Sequence, residues 1–566
     1  MNPQRKRFLI IGANAAGLKA ASKARRRNPH LAITVVERDA TISFAGCGLP
    51  YYVGGVVTDR EDLIGSLGGV LRTPAWFAEF KDITVLTRHE ATSINREKKS
   101  VAVRVLETAE SKEFPYDVLL LATGASAMRL RAPGADLASV HSLKRLEDAD
   151  TIKAEIDSGR VKKAVVVGGG YIGVEVAEAL VGRGVETVLL EAADQILPPF
   201  DADIAALVAR HMRAKGVTIL LGEKAERFEG EGGRVRAVVT GHRRLEADLV
   251  VVGVGARPNV ELARQAGLAL GETGAIAVDD HLRTSDPAIY AAGDCVENRC
   301  LVTGGTVYVP LGSTANKQGR VVGINVTGGD DTFPGVVSTI IVKAFDFTAA
   351  RTGLSARHAS RRGIEFVSVT APGLDRAHYY PGAKAIVIKL LAEVKTGRLL
   401  GAEMAGPGDA ARRIDVAAAA LTAGMTVKQV SALDLAYAPP YSPALDPLIT
   451  AANVLRNKLE DPSVALTPAE VKAKLDRGED FVLLDVRTPG EYAEVRIPGA
   501  TLLPLGELRS RLKELPRDKE IVTFCRVSLR GWEAASMLRA AGFAQARFLE
   551  GGVTAWPYDL EPQRQK

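Results

Sequence analysis

The chain has 566 residues, 46% of them apolar, and its 73 basic and 67 acidic residues leave a net charge of only +6. Apolar material on that scale supplies several cores, about three to five at roughly 100 to 200 residues each, and so small a basic excess points to tolerance of anionic ligands and not to a nucleic-acid partner. Four cysteines are too few for a disulfide scaffold and form no paired CxxC zinc pattern; no apolar run approaches the 18 or so residues of a membrane span, and the basic start, Met1 to Arg7, runs into a glycine turn without a cleavage signal, so a cytoplasmic protein with reduced thiols and no membrane span is expected.

Phe8–Ile11 reads as a buried strand, Gly12 to Gly17 as a turn, and the alanine-rich stretch after it as a helix leading to a second strand, Ile33–Val36, with Glu37 at its end. Such a unit lets a pyrophosphate approach the glycine backbone at a helix N-terminus while the acid accepts from ribose hydroxyls. Asn14 replaces the middle glycine, so this copy taken alone is also compatible with an ordinary βαβ turn. Ser43 to Gly55 follows, a glycine-rich segment holding the lone Cys47. A second copy is complete: Ala164–Val167 leads into Gly168, Gly170 and Gly173, then a helix, then a strand ending in Glu191, 23 residues after Gly168. Ala192 and Ala193 stand where a site for a 2′-phosphate would place arginine, which favours NADH. Leu119–Ala125, containing Thr123 and Gly124, and Val250–Pro258 are matching strand-to-glycine returns, and Ile289–Ala292 is a strand that runs out through Gly293 to Asp294.

These ordered segments resemble the pyridine nucleotide-disulfide reductase family over roughly residues 5 to 455. The resemblance implies an α/β fold with two Rossmann-like domains: an FAD-binding domain over 1–150 and 275–334, interrupted by an NADH-binding domain over 151–274, and then an α+β dimerisation domain over 335–457. It implies that Gly12, Asn14, Gly17, Glu37, Thr123, Gly124 and Asp294 hold FAD, Asp294 on the ribityl chain, and that Gly168, Gly170, Gly173 and Glu191 hold NADH. Pro310–Arg320 resembles the segment that starts a helix beneath the flavin, where a helix N-terminus favours negative charge on the reduced ring.

The Ser43–Gly55 segment resembles the single-cysteine branch of that family, which comprises coenzyme A disulfide reductases, NADH oxidases and peroxidases, and persulfide reductases. It implies Cys47 as the redox thiolate, attacking sulfur and exchanging an electron pair with the flavin; a GCG loop offers little packing for the plainer role of a small buried residue. Gly46 departs from the asparagine frequent in relatives. Lys19, Lys23 and Arg26 or Arg27 recur on one helix face. Alone, that stripe reads as a solvated face. The resemblance makes it a grip for CoA phosphates, with Ser43 on the pantetheine arm and Asn316 and Lys317 completing the CoA site. It also implies a homodimer with a shared site, in which Tyr379 and Tyr437 reach across to the cysteine of the second copy; packing is their alternative role. Cys295 and Cys300 lack a redox-helix context and are expected to be structural.

A polar linker over 458–468 precedes a separate α/β pattern over 469–566. Phe481–Arg487 is a strand with a polar exit, Ile497–Ala500 a turn, and Ile521–Phe524 a buried strand that ends in Cys525-Arg-Val-Ser-Leu-Arg530. This region resembles rhodanese, whose six-residue loop surrounds a sulfur with backbone N–H groups and a helix N-terminus; Arg530 adds a fixed positive charge. Ser528 stands where glycine is commoner, and Arg496 where histidine often precedes the IPGA turn. The whole chain therefore resembles coenzyme A disulfide reductase–rhodanese fusions. The expected activity is NADH- and FAD-dependent reduction of a CoA persulfide, polysulfide or related persulfide at Cys47, with sulfur accepted and delivered by Cys525 and no metal required. The alternatives are a coenzyme A disulfide reductase or NADH oxidase working through Cys47 alone, and a rhodanese domain that carries sulfur to a protein partner.

Overall fold

The computed structural model describes residues 5–461 and 464–561; Pro462 and Ser463 of the expected linker lie outside the described residues. Two compact units emerge, one of residues 1–192 and 222–336, the other of 193–221 and 337–566.

In the first unit, Arg7–Ile11 pairs in parallel with Ala32–Val36 on one side and Val118–Leu121 on the other, and the sheet is extended by Thr84–Leu86 and Ile289–Ala291. These strands are almost wholly apolar because both faces are covered. A second parallel set repeats the plan: Lys163–Val167 lies between Glu186–Glu191 and Leu249–Val252, and Val140–Ser142 pairs with the latter. Each central strand turns at a glycine into a helix, Ala15–Arg27 in the first set and Tyr171–Gly182 in the second.

The Gly312–Asn325 helix lies directly on Ala15–Arg27. A Cβ on Gly319 would stand 2.4 Å from the Ala16 carbonyl oxygen, and one on Gly323 2.7 Å from that of Ala20. Two glycines one turn apart thus let the helix backbones touch, with Ala16, Ala20 and Ala24 buried at the crossing.

In the second unit, five antiparallel strands run in the order Ile340–Ala344, Phe347–Gly353, Leu399–Gly406, Ala385–Glu393, Phe366–Leu374. The sheet buries charge as well as apolar surface. Lys389 Nζ sits 2.9 Å from Asp203 and 3.1 Å from Asp201, at the start of the Ala202–Ala214 helix. Beside them burial and Asp201 push the Glu403 carboxyl up to about 8, so near neutral pH it is largely the protonated member of the cluster. The remaining part is a parallel sheet ordered Ala465–Leu466, Ala546–Leu549, Glu520–Phe524, Phe481–Asp485, Thr501–Leu502, with the Leu529–Ala540 helix against it. Among the described residues no helix is long and apolar enough to cross a membrane.

Replacing Gly319 by alanine forces a Cβ against backbone and not against a side chain that can move away. The expected cost is about 1–3 kcal/mol, read as a lower urea midpoint for G319A than for the wild-type protein.

Candidate active site

The two glycine turns are built alike. Gly12 has φ 111° and Gly168 φ 107°, and a Cβ on Gly17 or Gly173 would stand 1.9 Å from the carbonyl oxygen of the first glycine in its own turn. No side chain caps either helix, although Asn14 and Gly170 occupy the N-cap positions. The acids close each turn: Glu37 accepts from the Ala13 N–H at 2.8 Å, and Glu191 from the Gly169 N–H at 2.6 Å. Burial pushes the Glu37 carboxyl up, while hydrogen bonds from the Asp39 and Ala13 N–H groups oppose the shift. Two uncapped helix ends, each with glycine-thin approach and an adjacent carboxylate, fit two dinucleotides.

The return after Val118–Leu121 is locked by Asn259. Thr123 Oγ1 donates to the Asn259 carbonyl at 2.7 Å, the Asn259 amide donates back to the Thr123 carbonyl at 2.8 Å, and Gly124 takes φ 66°. Asp294 sits 3.4 Å from Lys144 Nζ, and its carbonyl accepts from the Tyr308 hydroxyl at 2.8 Å. The turn before it is held by Gln318, fully buried, which accepts from the Gly293 N–H at 2.7 Å. Cys295 and Cys300 are buried, and Cys295 Sγ makes contacts of 3.5 and 3.4 Å to the carbonyls of Leu121 and Ala292.

Cys47 lies exposed in a single 3₁₀ turn, Gly46–Gly48, at the head of the short Leu49–Val53 helix. The surrounding walls withdraw enough water to push its thiol up; Glu175 and Asp294 act in the same direction, and Lys144 opposes them. Burial first, and then the two carboxylates, act toward the protonated thiol, while Lys144 acts toward the thiolate. Those same charges show what meets at Cys47: Glu175 from the second glycine-turn helix, Asp294 after the Ile289–Ala291 strand of the first set, and Lys144 after the Val140–Ser142 strand of the second. The Tyr51 hydroxyl donates to Glu175 at 3.2 Å, and burial followed by that carboxylate pushes the phenol up to about 12.

Ser43 has φ 53°; its N–H donates to the Ala13 carbonyl at 2.9 Å and its Oγ accepts from Arg72 at 3.4 Å. This contact links the cysteine segment to the first glycine turn. Lys19 and Arg26 are exposed and Lys23 is half-buried. Partial desolvation, then Arg320, Arg27 and Arg26, lower the Lys23 pKa, so the basic stripe is wider than one helix face and includes Arg320. Asn316 and Lys317 are exposed on the first turns of the neighbouring helix, and the Asn316 amide donates back to the Gly312 carbonyl at 2.8 Å. Neither Arg72 nor Arg320 carried a local signal. Glu175 had one, an acid two residues after the third glycine.

In the second unit, Tyr379 and Tyr437 are 65% and 52% exposed, and the neighbouring Tyr437 pushes the Tyr379 phenol up. Cys525 is 1% exposed at the end of its strand, and the Ser528 N–H donates to its Sγ at 3.3 Å. Arg530 grips Glu491 with two bonds of 2.8 and 2.7 Å; that pair raises the guanidinium pKa, and Cys525 acts in the same direction. Ser528 sits at φ 145°, which is why glycine is commoner there. Arg496 lies over the Tyr492 ring at 5.2 Å and its side chain pairs with Glu561.

Paired glycine turns beside one exposed cysteine, together with a second cysteine whose sulfur accepts from the Ser528 N–H, define a nucleotide-dependent sulfur oxidoreductase. The chain matches the pyridine nucleotide-disulphide oxidoreductase family over residues 6–319, that family's dimerisation domain over 339–449, and the rhodanese-like domain over 467–558. It belongs to the pyridine nucleotide-disulphide oxidoreductase family, which is FAD- and NAD(P)H-dependent. It is 37% identical over 454 residues to the NAD(P)H sulfur oxidoreductase (CoA-dependent) of Pyrococcus furiosus, covering 80% of this chain and 100% of that protein. Among solved structures it is similar to an NAD-dependent persulfide reductase from A. fulgidus, with 45% identity, TM-score 0.92, and 97% and 100% of the two chains covered. It is also similar to the reduced CoADR-RHD of Bacillus anthracis, with 35% identity, TM-score 0.90 and 98% of each chain covered.

The Arg530–Glu491 pair gives a pH test. Hydrogen bonds from Arg530 hold the Glu491 carboxyl at about 2, below its ordinary 4.5, so the pair stabilises the fold above about 4.5 and that contribution fades as pH falls toward 2. Glu491→Gln is expected to lower the urea midpoint at pH 7, and the gap from wild type is expected to close across that acid range, followed by tryptophan fluorescence.

Proposed function

We propose that this chain is an NADH-dependent flavoprotein that reduces sulfane sulfur, carried as CoA persulfide, polysulfide or a related persulfide, to sulfide and thiol. The observation that carries the reading is the pairing on one chain of two unlike lone cysteines. Cys47 is exposed among charges from both nucleotide units, and Cys525 is set in a rhodanese loop with an N–H aimed at its sulfur. The activities that the relatives are named for, CoA-dependent sulfur oxidoreductase and persulfide reductase, support it.

The work divides among an FAD-binding domain over 1–150 and 275–334, an NADH-binding domain over 151–274, a dimerisation domain over 335–457, a linker over 458–468 and a rhodanese domain over 469–566. Gly12, Asn14, Gly17, Glu37, Thr123, Gly124 and Asp294 hold FAD; Gly168, Gly170, Gly173 and Glu191 hold NADH. When bound, FAD relays two electrons from NADH to sulfur. Lys19, Lys23, Arg26, Asn316 and Lys317 fix CoA phosphates, and Ser43 steadies the pantetheine arm. Cys47, once deprotonated, attacks one sulfur of the persulfide; the original S–S bond breaks and one fragment leaves as thiolate or hydrosulfide. Two electrons and a proton then cleave the new S–S bond, which frees the other fragment and restores Cys47. Cys525 accepts sulfane sulfur and delivers it, with Arg530 balancing the persulfide anion. The enzyme works in the cytoplasm as a homodimer, and the exposed Tyr379 and Tyr437 reach the Cys47 site of the second copy, where a phenol can protonate a leaving thiolate.

Two variants separate the roles, assayed anaerobically with NADH and sulfide quantified. Cys47→Ser is expected to abolish NADH-driven sulfide release from CoA persulfide, and intact release in that variant overturns the reading. Cys525→Ser is expected to lose sulfane-sulfur transfer while NADH-driven reduction of CoA disulfide continues.

A further inference from the structure

The loop around Cys525 contains one residue in a strained conformation. Ser528 adopts φ 145° and ψ −44°, a region that glycine enters freely and a residue with a Cβ resists. Strain of this kind persists only where neighbouring contacts over-determine it. Two hydrogen bonds do so here. The Ser528 N–H donates to Cys525 Sγ at 3.3 Å, and its Oγ accepts from the Gly551 N–H at 2.8 Å. Glycine would supply the first bond but not the second.

Gly551 is itself fixed from outside the loop. The preceding residue, Glu550, is 1% exposed. Its Oε2 accepts from the Thr370 N–H at 3.1 Å, within the Phe366–Leu374 strand, and its Oε1 is paired with Lys458 of the Pro447–Glu460 helix. A carboxylate buried so completely is tolerated only with partners of this kind. Beyond Gly551, the Val553 and Thr554 N–H groups donate to the Cys525 and Arg526 carbonyls, both at 3.0 Å. A Cβ on Gly552 would stand 2.1 Å from the Cys525 carbonyl oxygen, so the two segments meet backbone to backbone.

We propose that Ser528 is a positioning residue for sulfur transfer at Cys525: its hydroxyl fastens the sulfur loop to Gly551, and Glu550 ties that anchor to the Phe366–Leu374 strand and the Pro447–Glu460 helix. The proposal rests on Cys525 being the sulfur-carrying thiol. It makes the sulfur cradle an extension of the preceding domain, and not a freely tethered carrier.

The test uses the full-length holoenzyme with thiosulfate as sulfur donor and cyanide as acceptor, and kcat/KM is followed against pH. Ser528→Gly decides the matter, because glycine relieves the strain and removes only the hydroxyl, so this variant is expected to fold. A fall in kcat/KM of about three- to tenfold is expected, the size of one lost hydrogen bond, and the acidic limb of the profile is expected to move to higher pH as the N–H contact to Cys525 loosens. Ser528→Ala, strained and without the latch, is expected to fall at least as far, and Glu550→Gln is expected to change in the same direction. A Ser528→Gly enzyme with wild-type kcat/KM and pH profile overturns the proposal and leaves Ser528 a passive stand-in for glycine. A wild-type enzyme with no transfer from thiosulfate to cyanide removes instead the sulfur-carrier reading beneath it.

Discussion

In both glycine turns, at one helix crossing and at the Cys525 loop, two stretches of backbone meet more closely than a side chain would permit. Gly17 rests on Gly12, Gly173 on Gly168, Gly319 on Ala16 and Gly552 on Cys525, each with a hypothetical Cβ 1.9 to 2.4 Å from a carbonyl oxygen. The contact does more than save space. Removing side chains from a turn brings helix N-terminal N–H groups to the surface, where an anion can approach them in the two glycine turns, and it seats the wall of the Cys525 loop. The Gly319 contact extends the effect by laying a second helix along the first, which carries Arg320 to the basic stripe around Lys23.

Charge supplies the second constraint, and it differs between the two cysteines. Around Cys47 the walls and two carboxylates act against ionisation, with Lys144 opposing them. Around Cys525 the carboxylate of Glu491 is spent on Arg530, which leaves a cationic group with its anion already paired beside a sulfur that also receives a backbone N–H. Buried charge shapes the domain between them as well: Lys389 with Asp201 and Asp203, and Glu550 with Lys458, are enclosed pairs. Such pairs add little net stability compared with apolar packing, but each fixes one arrangement of the elements it joins, because an unpaired charge there is strongly unfavourable.

Much of this was legible along the chain. Both βαβ units, the two returns, Asp294 and the rhodanese strand and loop are local patterns, set by short-range glycine spacing and apolar runs. Asn14 in place of glycine weakened the first fingerprint, yet Asn14 occupies the N-cap position and leaves the close contact to Gly12 and Gly17. Arg72, Lys144, Asn259 and Glu550 carried little or no signal. Their roles come from partners 29 to 180 residues away, as with Arg72 on Ser43 and Glu550 on Thr370.

The sequence by itself pointed to the class of chemistry: two glycine-turn nucleotide units, one lone cysteine in a glycine-rich segment, and one rhodanese-like loop that begins at a second. Each depends on residues close enough in the chain for spacing alone to specify the turn. Only the tertiary structure decided which charges surround Cys47, that Arg530 is held by Glu491, and that the strained Ser528 is held in part by Gly551, 23 residues away. The physical reason is that electrostatic fields and hydrogen bonds act through space, whereas periodicity and turn chemistry record only what each residue requires of its nearest neighbours.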